Sequence, residues 1–185
     1  IFGLLSFVSY LVEGAVGDWS ALYLFEDKGI LIEEAVMGVM LFNGTMCIGR
    51  LLGNRLGKHL TSKQVVVGGY LLGSIAMGLI VFLPGHASMY TYLLLGISLA
   101  MIVPNLFSAM GEQNVIPMTQ AVATSTMLGY MGILMGPALI GFIAHGTSLT
   151  VAFIVLTTLL VVSAGIGKYA YHLMSKDCGL SEEQI

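Results

Sequence analysis

Apolar residues run along this chain in six long stretches separated by short polar breaks. The stretches fall at residues 2–24, 34–52, 65–83, 90–110, 120–144 and 149–174. A membrane-crossing helix needs about 20 predominantly apolar residues, and each stretch is close to or above that length. The connectors "FEDKGILIE", "GNRLGKHLTSKQ", "PGHASM", "GEQNVIPMT" and "HGTS" are too short to hold a soluble domain. The pattern therefore predicts an all-α membrane protein: one six-helix bundle over residues 1–174, followed by a polar tail at 175–185.

Polar positions inside the apolar stretches mark the faces that avoid lipid. In the first span, steps of three or four residues join Ser6, Ser9, Tyr10, Glu13, Gly17 and Ser20 into a stripe of small or polar side chains. Asp18 lies about 140° around the helix from Glu13, beside Trp19 and nearer the span's end. The two acids therefore do not form a pair on one face. An acid at mid-bilayer costs at least about 2.5–3.5 kcal/mol and faces a bundle interior or a wet cavity. Glu13 thus reads either as a protonated carboxyl bonded to a neighbouring helix or as a cavity residue that binds solute or a proton. Asp18 reads as an interface residue that helps close an outer gate, with Trp19 and Tyr23 anchoring the interface. The fourth span repeats the theme with Ser98, Asn105 and Glu112 every seven residues and Ser108 beside them. Pro104 is expected to break that helix, and Pro137 to break the fifth, where Thr124, Ser125 and Tyr130 are the polar residues. Asn43 marks the second span. Polar lines beside helix breaks near the midplane are how transporters build binding sites.

Composition agrees with this reading. The chain is 57% hydrophobic and 9% charged, with a mean hydropathy of +0.93, against about 45–50% and about 25% in soluble domains. The net charge of −3 gives a nucleic acid nothing to bind. The 24 glycines suit close helix packing; Gly49, Gly53 and Gly57 recur every four residues, as do Gly132 and Gly136. Cys47 and Cys178 fall in a span and in the tail, so no disulfide is expected. The chain opens on Ile1 in an apolar run with no charged leader or cleavage site, and reads as a segment of a longer protein. Arg50, Arg55, Lys58 and Lys63 cluster around the second connector, and Lys168 and Lys176 lie at the end of the sixth span. Lys28 alone lies on the opposite side. Positive charge collects in the cytoplasm, which puts the second connector and the C-terminus there.

Catalytic chemistry is weakly represented. Ser98 in "GISL" and His145 resemble parts of a membrane serine protease, but Ser98 is roughly a dozen ångströms into its helix and His145 sits at a mouth. His59, His86 and His172 fall in loops or at a helix end. The methionines of the second and fifth spans lack the accompanying Cys–His cluster of a copper relay, and read as adaptable packing. No metal site or cofactor is expected.

At "GRLLGNRLGKHLTSKQ" the chain resembles the basic cytoplasmic loop motif of the major facilitator superfamily, in the copy between its eighth and ninth helices. "EGAVGDWSALYL" is similar to that superfamily's seventh helix, "GISLAMIVPNLFSAMGEQ" to its tenth and "LGYMGILMGPALIGFIA" to its eleventh, in the wording of a bacterial inner-membrane permease branch. The resemblance implies the C-terminal six-helix half of a twelve-helix transporter, with the first, second, fourth and fifth spans lining a central cavity. The partners it implies are a small-molecule substrate, the lipid bilayer and a missing N-terminal half. Cavity residues are then Ser9, Tyr10, Glu13, Asn43, Ser98, Asn105 and Tyr130. Gating residues are Asp18, Arg50, Asn54, Arg55, Lys58 and Glu112. Asn54 stands where the family motif usually has an aspartate, so the charge-pairing part of that latch is missing.

The expected function is secondary active transport of a small polar organic solute by alternating access, coupled to protons. The alternatives are a transporter-like receptor or scaffold that binds without transport, and a membrane-embedded enzyme.

Overall fold

The computed structural model describes residues 1–56, 60–112 and 116–178; for residues 54–56, 112, 177 and 178 it describes the backbone alone. Among the described residues there are seven α-helices and no strand: α1 Phe2–Glu26, α2 Ile32–Leu56, α3 Ser62–Phe82, α4 Gly85–Ala100, α5 Ile102–Glu112, α6 Met118–Gly146 and α7 Leu149–Cys178. The last helix runs four residues past the end of the expected sixth span. Among the described residues, five helical segments are long and apolar enough to cross a membrane: Ile32–Gly53, Ser62–Phe82, Gly85–Gly111, Met118–Gly146 and Leu149–Lys176. In α1, Glu13, Asp18 and three serines dilute the apolar residues, and α1 is not among the five.

The fourth apolar stretch forms two helices, and the interruption falls at Met101 (φ −101°, ψ −6°) rather than at Pro104. Pro104 is the third residue of α5, within the first turn, where its missing N–H leaves no helical bond unmade. The chain therefore adjusts upstream of the proline. Asn105 closes the joint: its backbone N–H and its Nδ2 both donate to Met101 O, at 3.2 and 2.8 Å.

Pro137 corrects the other expected break, because α6 runs through it without interruption. The proline removes the donor for Ile133 O four residues earlier. That carbonyl instead faces Gly14 of α1, so closely that a Cβ at Gly14 would stand 2.5 Å from it. Pro137 O accepts a hydrogen bond from Trp19 Nε1 at 2.9 Å, and Trp19 lies against Gly141. Trp19 is thus a packing residue between α1 and α6. Tyr23 is fully buried and stacks on Phe153 at 4.2 Å, so it is not an interface anchor either.

Helix α1 is the hub of the bundle, packed along α6 and also against α2 and α7, while α3 packs on α7, α4 and α5, and α2 on α4. Glycine permits the closest of these approaches. A Cβ at Gly132 would meet Phe7 O, one at Gly136 would meet Leu11 O, and one at Gly96 would meet Phe42 O. Tyr70 of α3 ties to α1 by polar bonds: its hydroxyl donates to Leu5 O at 2.7 Å, so Ser9 Oγ is the donor in the 2.8 Å bond between them. Removing that hydroxyl leaves two buried groups without their partner. Tyr70→Phe should destabilise the bundle by about 1–3 kcal/mol, readable as a lower unfolding midpoint in detergent.

The two ends of the bundle are closed by different means. Where α1 ends and α2 begins, Lys28 Nζ donates to Val81 O at 2.6 Å, capping the C-terminal turn of α3. Thr150 Oγ1 donates to Asp27 at 2.7 Å, and His86 pairs with Glu34 at 2.8 Å. Burial pulls the Lys28 ammonium below the usual lysine range, and the Asp27 carboxylate opposes that shift. At the opposite end, α3 starts with a capping box: Thr61 Oγ1 accepts from Gln64 N, and Gln64 Oε1 from Thr61 N. Thr61→Ala should cost about 1 kcal/mol, and Thr61→Ser should recover most of it in the same unfolding assay.

Candidate functional site

Glu13 and Arg50 are 37 residues apart and meet across α1 and α2, with Arg50 Nη2 at 3.2 Å from Glu13 Oε2. Arg50 lies well inside α2, in the run "CIGRLLG". A cation among apolar residues needs a charged or polar partner to offset its desolvation. The antiparallel descent of α2 beside α1 brings it level with Glu13, and the long arginine side chain spans the gap. Arg50, expected as a gating residue, is in contact with the expected cavity acid. Its side chain is 43% exposed and that of Glu13 21%.

Two tyrosines flank the pair. Tyr10, one turn before Glu13, lies within electrostatic range of Glu13, Arg50 and Tyr130. Tyr130 of α6 is 68% exposed. Asn43 is two turns before Arg50 on the same side of α2, exposed, with its Nδ2 donating to Val39 O at 3.0 Å. Gly17, one turn after Glu13, has open space where a side chain would be. Helices α2 and α6 each pack on α1 with no contact between them among the described residues, so α1 forms the floor of a groove at Tyr10, Glu13 and Gly17. The groove holds an ion pair and the Tyr10 phenol, polar groups set among apolar helices. Among the described residues, no three of His, Cys, Asp and Glu come together as a metal site.

The structure divides the expected site residues. It brings Tyr10, Glu13 and Arg50 together, with Tyr130 near Tyr10, while Asn43 is exposed two turns along α2 from Arg50. It removes Ser9, which is 3% exposed and turned to Tyr70, and Ser98, which is 5% exposed, donates to Leu95 O and packs beside Gly73 of α3. Serines satisfy their hydroxyls on nearby helix carbonyls or a buried tyrosine, so a polar stripe does not by itself mark a wet face. Asn105 is half-buried at the α4–α5 joint, and Asp18 is exposed beyond the groove. Lys58 lies outside the described residues, as do the side chains of Asn54, Arg55 and Glu112. The pairing of Arg50 with Glu13 was missed because Arg50 was grouped with the loop cations. The signal that finds it is its position inside an apolar run.

The long apolar helices define an integral membrane protein. No family model matches the chain. It is 42% identical over 165 residues to an uncharacterised MFS-type transporter of Yersinia pestis, covering 88% of this chain and 42% of that protein. It is 30% identical over 169 residues to the membrane protein MosC of Rhizobium meliloti, covering 90% and 42%. An uncharacterised transporter of Sinorhizobium fredii matches at 28% over 157 residues, covering 83% and 41%. The chain is thus a homologue of MFS-type transporters, and these relatives show the resemblance to the major facilitator superfamily read from its motifs. It spans about two fifths of the length of the curated relatives it matches.

Proposed function

We infer that this chain is the C-terminal six-helix half of a twelve-helix secondary transporter, and that the groove along α1 is its side of a central translocation cavity. The observation that carries the reading is the Glu13–Arg50 ion pair, held at the floor of a groove in a bundle of membrane-spanning helices. Charged groups cost too much inside a membrane protein to be kept as packing alone. The length of the relatives supports a second half of similar size, which would cover the groove and turn it into a cavity. In this reading α1 also crosses the membrane, beside the five apolar segments, its acids sheltered from lipid by α2, α6 and the second half. The α2–α3 connector and the C-terminus face the cytoplasm of a bacterial inner membrane, in line with the distribution of Lys and Arg.

The transported species is a small polar organic solute, and Glu13 carries the coupling proton. Rocking of the two halves opens the groove to each side in turn. Uptake by the full-length protein in proteoliposomes tests this directly. An inward proton gradient should drive accumulation of the solute above its external concentration, and collapsing the gradient should stop it. Binding without accumulation would instead make the protein a receptor.

A further inference from the structure

We propose that the solute is a carboxylate that takes the place of Glu13 on Arg50; this rests on the reading of the groove as a translocation site and names its substrate class. The guanidinium is a planar fork of five N–H donors suited to two-point contact with a carboxylate. Arg50 uses this fork poorly. Its contact with Glu13 is a single long bond of 3.2 Å through one nitrogen, and no other partner is recorded for it among the described residues. The difference in exposure favours an anionic ligand. Arg50 is about twice as exposed as Glu13 (43% against 21%), so the guanidinium is the more accessible member of the pair. An anion has the unused face of the fork open to it.

Charge balance fixes the rest. With the pair intact the site is neutral, and a carboxylate docked on Arg50 would add one negative charge to a poorly solvated place. Glu13 restores neutrality by taking a proton as it lets go of Arg50, so that one proton and one monoanion occupy the site together. Among the described residues, the other titratable side chain beside the pair is Tyr10 of α1, which itself lies near Tyr130 of α6.

The test is calorimetric titration of the full-length protein in detergent with matched acid and amide pairs: acetate and acetamide, lactate and lactamide, benzoate and benzamide. Glu13→Gln frees Arg50 from its competitor, and it should bind at least one carboxylate about tenfold or more tightly than wild type, the worth of a charge-assisted hydrogen bond. The matching amide should gain nothing. Arg50→Lys keeps the charge but loses the fork, and should weaken carboxylate binding about tenfold. The proposal is overturned if an amide binds as well as its acid, if folded Glu13→Gln binds no carboxylate more tightly than wild type does, or if Arg50→Lys leaves the affinity unchanged. The last comparison decides the matter should Glu13→Gln not fold. Gly17→Trp separates this from the underlying reading, because it fills the groove. Undiminished ligand binding in that variant means the groove is not the site, whatever charge the ligand carries.

Discussion

Gly132→Leu should yield no stably folded protein, and even Gly132→Ala should lose about 3 kcal/mol of stability. The reason is backbone against backbone. At Gly132 a Cβ would land on Phe7 O, and four residues later one at Gly136 would land on Leu11 O. Neither carbonyl belongs to a flexible side chain that could swing away, so α1 and α6 must separate along their whole seam. That separation also lifts Tyr130 from Tyr10 and strips Trp19 from Pro137 O, so the groove loses a wall as the bundle loses its tightest contact. Gly44→Ala is the control. That position has open space around it, and the better helix propensity of alanine should leave stability unchanged or raise it by up to about 1 kcal/mol. Unfolding in SDS, followed by helical circular dichroism, reads both outcomes.

Arg50→Gln and Glu13→Gln should each abolish gradient-driven accumulation, with a loss of about 100-fold or more, although neither should unfold the protein. Removing one partner of a well-buried ion pair costs about 3–5 kcal/mol. Here the arginine is 43% exposed, and solvent takes up much of that penalty, leaving about 1 kcal/mol. The double variant Glu13→Gln/Arg50→Gln separates structure from transport. With no lone charge left in the groove it should recover most of the lost stability and none of the transport. A double variant that regained accumulation would make the pair a structural tie.

How much of this was legible in the sequence depended on whether a residue's neighbours lie near it in the chain. The apolar stretches were visible because lipid imposes length and composition locally, and the glycines of α6 were visible as a repeat. The joint at Met101 lies upstream of Pro104 because a proline fits the first turn of the helix that follows, so the chain breaks before it. Pro137 was misjudged for a tertiary reason, since the freed Ile133 O is accommodated by Gly14 on another helix. Ser9 looked identical in kind to Tyr10 and Glu13, and only the arrival of Tyr70, 61 residues away, assigns it to the core. Arg50 and Glu13 were each singled out, but for different tasks. Their meeting follows from the way α2 runs back along α1, which no local pattern encodes.

The most direct measurement is the two-sided accessibility of position 17. In the full-length protein with its other cysteines replaced, Gly17→Cys places a thiol in the open space at the groove floor. A membrane-impermeant maleimide is then applied to right-side-out and to inside-out vesicles. Alternating access predicts labelling from both sides, slowed in each case by a ligand that occupies the groove. Labelling from neither side would mean that the groove faces lipid or packed protein, and the account of it as a translocation cavity would be wrong.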